Sequence, residues 1–124
     1  MKRLPLVVLI WMLLLILWVT STANPNLQYF DLTATGYYPG PKSCAPFDDG
    51  FTATGDVAGR GCIAIDPDNG PLKLGQQVYI EGYGYGTCND VGSLIKGWKI
   101  DLCFDTYEEA IEWGRKLVRV YVIK

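Results

Sequence analysis

The sequence predicts a small, mainly β domain that closes, or nearly closes, into a barrel and carries one short helix. Three observations carry this expectation. Short apolar runs recur between clusters of Gly, Pro, Asn and Asp, the punctuation of strands and turns. The 124 residues hold 14 Gly and show no long amphipathic repeat. The four cysteines all follow residue 23, where disulfides would staple a core of modest size.

Six strands are expected: Tyr29–Tyr38, Gly61–Asp66, Gln77–Glu81, Tyr85–Asp90, Lys99–Phe104 and Leu117–Ile123. Asp66-Pro67-Asp68-Asn69-Gly70-Pro71 is a strong turn signal. Gly40 to Asp49 reads as a polar loop pinned by Cys44. The helix starts at a capping box, in which Thr106 is followed three positions later by Glu109. Ala110, Ile111 and Leu117 give its apolar stripe, and Arg115 and Lys116 suit its C-terminal end. Val118 to Ile123 then alternates as a final strand. Many short strands with one helix on a small core suggest the barrel.

Residues 1–23 have the layout of an export signal. Lys2 and Arg3 precede an uncharged run from Leu4 to Val19, and Ser21-Thr22-Ala23 supplies small residues for cleavage after Ala23. The alternative is an uncleaved signal anchor; the 16-residue run falls short of the ~20 residues that span a bilayer comfortably. Either way, residues 24–124 form one extracytoplasmic domain. Removing Lys2 and Arg3 from the 11 basic residues leaves 9 against 13 acidic ones, so the mature domain is acidic.

Cys44, Cys62, Cys88 and Cys103 read as two disulfides in an oxidising compartment. Gaps of 18, 26 and 15 residues, with no C-x-x-C pair, do not suit zinc. Cys44–Cys62 and Cys88–Cys103 are the favoured pairs, each closing a short loop worth roughly 3 kcal/mol.

The chain has no His, which excludes imidazole bases, Ser-His-Asp and Cys-His nucleophiles and His-ligated zinc. The net charge of −2 argues against nucleic-acid binding. Catalysis would rest on carboxylates, Lys, Tyr or thiols.

Three aspartates stand in strand-end contexts. Asp66 ends Ile63-Ala64-Ile65, Asp90 follows Cys88-Asn89, and Asp101 lies within Ile100 to Phe104. If Cys88 sits opposite Cys103 on antiparallel strands, Asp90 falls directly opposite Asp101 on the same face. Carboxylates on directly opposed residues, about 4.5–5.5 Å apart at Cβ, cannot both ionise freely, so one pKa should rise. The bland readings are that Asp66 caps a turn and that Asp101 is the wet face of a half-buried strand. Asp48, Asp49, Asp56, Asp68 and Asp105 read as loop or cap residues. Tyr83 and Tyr85 between glycines, and Trp98 between Lys96 and Lys99, are either sugar-stacking rings or packing against the barrel.

In these segments the chain resembles the 3D domain family, named for three aspartates, which includes stationary-phase-survival lytic transglycosylases. The resemblance rests on Thr33-Ala34-Thr35-Gly36-Tyr37, Thr52-Ala53-Thr54-Gly55, Ile63-Ala64-Ile65-Asp66-Pro67, Leu74-Gly75 and Val78 to Gly84. It continues through Asp90-Val91-Gly92, Ile95-Lys96-Gly97, Ile100-Asp101-Leu102, Glu109-Ala110 and Trp113-Gly114-Arg115. It implies a six-stranded double-psi β-barrel, related to that of the membrane-bound lytic transglycosylase A type, with Asp66, Asp90 and Asp101 lining one cleft. It implies cleavage of peptidoglycan glycan strands between N-acetylmuramic acid and N-acetylglucosamine, with Asp101 as acid and base and a 1,6-anhydro product. Thr52, Lys96 and Trp98 are expected substrate contacts. No metal or organic cofactor is expected, and a membrane is a partner only if the N-terminal segment stays uncleaved. Ser93 after Gly92, where the family usually has a second glycine, and Trp98, where a small polar residue is common, depart from the pattern. The cysteines look lineage-specific. The alternatives are a non-catalytic, expansin-like wall-binding barrel and a hydrolytic glycosidase.

Overall fold

The computed structural model describes residues 3, 5–21, 26–40 and 49–124. The element order is α1 (Leu6–Ser21), β1 (Tyr29–Tyr37), β2 (Cys62–Ala64), β3 (Gln77–Ile80), β4 (Gly84–Asp90), β5 (Lys99–Cys103), α2 (Tyr107–Trp113) and β6 (Arg115–Val122). Among the described residues no helix is long and apolar enough to cross a membrane.

The six strands close into a barrel in the order β1-β5-β2-β4-β3-β6. Two pairs, β1–β5 and β2–β4, are parallel and the rest are antiparallel. This interleaved order is the double-psi arrangement, so the mainly β barrel expected from the sequence is what forms. Period-two alternation builds the interior. Leu32 and Ala34, Val78 and Ile80, Ile100 and Leu102, and Val118 and Val120 all point inward, joined by Ile63 and Cys88. Each full burial of a branched side chain contributes about 1.5–3 kcal/mol.

Helix α2 starts as the capping box dictates. The Thr106 hydroxyl accepts from Glu109 N at 3.2 Å and donates to the Glu109 carboxylate at 2.9 Å. The helix is shorter than the sequence suggests. Gly114, at φ 69°, ends it, and β6 begins at once with Arg115. The expected stripe is therefore corrected: Ala110 is buried and Trp113 packs on the core, whereas Ile111 and Leu117 are exposed. Gly36 lets α2 close onto β1, because a Cβ there would stand 2.9 Å from both the Ala110 carbonyl and the Phe104 ring.

The expected Cys88–Cys103 pairing is also corrected. Strand β2 lies between β4 and β5, so Cys88 and Cys103 are not on neighbouring strands. Cys88 faces the main core, whereas Cys103 packs with Tyr37 and Cys62 in a second cluster. Cys62, Cys88 and Cys103 carry thiols in the structure. The expected partner of Cys62, Cys44, lies outside the described residues.

Candidate functional site

The site is built from one row of residues crossing four strands. Thr35 on β1 pairs with Asp101 on β5, Asp101 pairs with Ala64 on β2, and Ala64 pairs with Asp90 on β4. This row occupies the face opposite the inward-pointing Ile100 and Leu102. A register shift between Ile63 and Ala64 makes it possible: Ile63 pairs with Cys88 but Ala64 pairs with Asp90, and Asn89 is skipped. Such a bulge re-aims the side chain that follows it. Without it, Asp90 would fall one step further along β2.

Residues 50–58 fold back over this face. Phe51 bridges Val57, Thr52 N donates to the Asp56 carbonyl at 2.9 Å, and Ala58 N donates to the Gly50 carbonyl at 2.9 Å. Thr54 N docks on the Asn89 carbonyl at 3.2 Å. The loop and the row enclose a cavity of about 650 Å³, lined by Tyr37, Phe51, Thr52, Ala64, Asp90 and Asp101 among others. A second hollow of about 590 Å³ beside β3 and β4 is lined by no acidic side chain among the described residues. Its size alone offers no chemistry.

Asp90 is held from three directions. Its Oδ1 accepts from Ala53 N and Val91 N, each at 2.9 Å, and its Oδ2 accepts from the Tyr37 hydroxyl at 3.2 Å. Asp90 therefore also anchors the covering loop. Asp101 is held more lightly. The Thr35 hydroxyl donates to its Oδ1 at 2.9 Å, and no described residue bonds its Oδ2. Burial pushes the Asp101 carboxyl above its ordinary value of 3.8. The Thr35 hydrogen bond and the Lys99 charge pull it partly back, and the Asp90 charge adds the smallest push.

The expected direct opposition of Asp90 and Asp101 is corrected. One strand stands between them, so their backbones are two strand spacings, about 9–10 Å, apart. The Asp101 carboxyl is raised chiefly because it is desolvated, and repulsion from Asp90 is secondary.

Asp66 lies elsewhere. It is buried, and it lines a small recess with Gly70, Leu72 and Gly97 instead of the large cavity. Its Oδ1 accepts from Asp68 N and Asn69 N at 3.2 Å, and its Oδ2 accepts from Gly97 N at 2.7 Å. The Gly97 hydrogen bond, first among these, holds its carboxyl below the usual carboxylate range. Such a group favours its charged form and serves as a pin between two turns. Gly70 allows this close turn, since a Cβ there would come within 2.7 Å of the Asp66 carbonyl.

Of the expected substrate contacts, Thr52 lines the acid cavity, but its hydroxyl is engaged with Thr54 at 3.2 Å and Asp56 N at 3.2 Å. Lys96 and Trp98 are exposed near Asp66 and do not line the cavity. The Trp98 ring meets Phe30 edge-on at 5.6 Å. The two glycine-flanked tyrosines part company: Tyr83 is buried against Phe104 and Trp113, whereas Tyr85 is 75% exposed. Thr35 and Tyr37 join the site through their bonds to Asp101 and Asp90, although no sequence motif gives them a role. Their shared parity opposite the buried Leu32 and Ala34 is the sequence signal that finds them.

A closed barrel carrying two acids over a loop-covered cavity defines a class of fold and site. The 3D domain family matches residues 61–124, and the chain belongs to that family. Three relatives from Bacillus subtilis (strain 168) are similar over most of the chain. YabE, provisionally named a cell wall shaping protein, is 38% identical over 110 residues, covering 85% of this chain and 26% of its own length. YocH, named a cell wall-binding protein, is 40% identical over 96 residues, covering 74% and 31%. YorM, a prophage-derived protein of uncharacterised role, is 35% identical over 108 residues, covering 81% and 44%. The chain thus spans less than half the length of each relative.

Proposed function

We propose that this chain is an extracytoplasmic cell-wall protein whose barrel binds peptidoglycan glycan strands and cleaves them as a lytic transglycosylase. Residues 1–23 act as its export signal, and residues 24–124 form the working domain. The observation that carries the reading is Asp101: a desolvated carboxyl, lightly held, lining a cavity large enough for sugar units. The names of YabE and YocH support the wall as its place of action.

In this reading Asp101 donates its proton to the glycosidic oxygen as the C1–O bond breaks. The resulting carboxylate takes the proton of the muramyl 6-hydroxyl, whose oxygen bonds C1 and closes the anhydro ring. No water is consumed. Asp90, fixed by Tyr37 and two backbone amides, presents negative charge near the developing oxocarbenium ion. Asp66 acts at a distance, by fixing the turn that carries Gly97 beside β5.

The test is mass spectrometry of purified peptidoglycan digested by the protein. Anhydro-muropeptides support the reading, and undiminished activity in Asp101→Asn overturns it. A second reading, wall binding without cleavage, is favoured by the name of YocH and by the three hydrogen bonds that occupy Asp90. Retention on insoluble wall with no soluble product selects it.

A further inference from the structure

The row adjoining the acids on the same face is also ordered. Tyr37 pairs with Cys103 across β1 and β5. Ile63 pairs with Leu102 across antiparallel β2 and β5, and one further step in that register brings Cys62 opposite Cys103. Both cysteines are buried, at 7% and 0% exposure, in a cluster shared, among the described residues, with Tyr37 alone. Directly opposed residues on antiparallel strands have Cβ atoms about 4.5–5.5 Å apart. A disulfide needs about 3.5–4.5 Å, with Cα atoms 4.4–6.8 Å apart, so a small approach of two side chains suffices.

We propose that Cys62 and Cys103 form a cross-strand disulfide, a clamp between β2 and β5 one row behind Ala64 and Asp101. Each thiol gives up its hydrogen as the sulfur–sulfur bond forms. Two protons and two electrons pass to a disulfide donor of the extracytoplasmic space, which becomes a dithiol. Because both sulfurs are buried, the exchange takes place as the chain folds. Cys88 is excluded by its place on the opposite face, in the main core, where burial pushes its thiol up to about 12.

The bond bears on the site through Tyr37. The phenol donates to Asp90 at 3.2 Å and shares a hydrogen bond with the Cys103 side chain. Closing the disulfide removes the Cys103 proton and leaves the Tyr37 hydroxyl to Asp90 alone. The pairing rests on the extracytoplasmic location proposed above and not on the cleavage chemistry.

The experiment refolds the full reduced chain in a glutathione redox buffer, blocks remaining thiols by alkylation, and maps peptides without reduction. The expected result is loss of two thiols per chain and one cross-linked peptide pair joining Cys62 to Cys103. Cys88→Ser should leave that cross-link intact, and Cys62→Ser should abolish it. Full alkylation of Cys62 and Cys103 in refolded protein overturns the proposal. So does a cross-link from either residue to Cys44 or Cys88. Because the redox buffer supplies the donor, a negative result counts against the pairing and not against the location.

Discussion

Replacing Asp101 by Asn tests the buried acid without reference to any substrate. Asn keeps the shape and can still accept the Thr35 hydroxyl, which donates at 2.9 Å. What it removes is the titration. The wild-type carboxyl is raised above 3.8 in the folded protein by desolvation. Its neutral form is therefore favoured by folding, and stability is fully present below the unfolded pKa. As pH rises from there towards the folded pKa, the unfolded chain ionises first and the native state loses about 1.4 kcal/mol per pH unit. Asp101→Asn should escape that loss. At low pH the two proteins should be similar, and near neutrality the variant should be the more stable. Each 1 kcal/mol corresponds to roughly 4–8 °C in melting temperature for a domain of this size. The assay is thermal unfolding of both proteins from about pH 4 to about pH 8. Parallel curves across that range would refute the reasoning, since they would mean a carboxyl as well solvated when folded as when unfolded.

Tyr37→Phe removes the one side-chain donor to Asp90 among the described residues, a bond at 3.2 Å; a cost near the low end of the ~0.5–1.5 kcal/mol scale is expected in unfolding free energy, with a clear fall in wall turnover. Gly36→Ala places a methyl 2.9 Å from the Ala110 carbonyl and the Phe104 ring, so α2 should shift and chemical denaturation should show a loss of about 1–3 kcal/mol. Asp66→Asn replaces an acceptor of three backbone amides with a group that serves them poorly, so hydrogen exchange at Asp68, Asn69 and Gly97 should speed up, while exchange at Ala53 and Val91 beside the acid cavity stays unchanged. The raised Asp101 carboxyl also predicts that cleavage depends on a protonated group: activity should fall as pH rises through its folded pKa, read from a pH–rate profile.

The barrel was legible because its strands obey period two, and the strand positions were found to within a few residues. The largest shifts are of two residues: β2 ends at Ala64 instead of Asp66, and β6 starts at Arg115 instead of Leu117, because Gly114 takes a positive φ that a helical pattern does not reveal. The helix start was legible because the capping box is local. Strand neighbours were not, since order in a barrel is set by crossovers that leave no local trace. Inserting β2 between β4 and β5 undid the Cys88–Cys103 pairing and with it the direct opposition of Asp90 and Asp101. The bulge at Asn89 then restored Asp90 to the row by another route. Asp66 followed the bland reading: an acid before Pro67, its carboxylate tied to the turn it caps. Lys96 and Trp98 lie on the turns that Asp66 pins, which explains their distance from the acid cavity.

Digestion of purified glycan strands in heavy-oxygen water tests the central claim most directly. The account predicts ring-closed muramyl ends free of the label from the wild type, and none from Asp101→Asn. Labelled reducing ends, or equal product from both proteins, would contradict it.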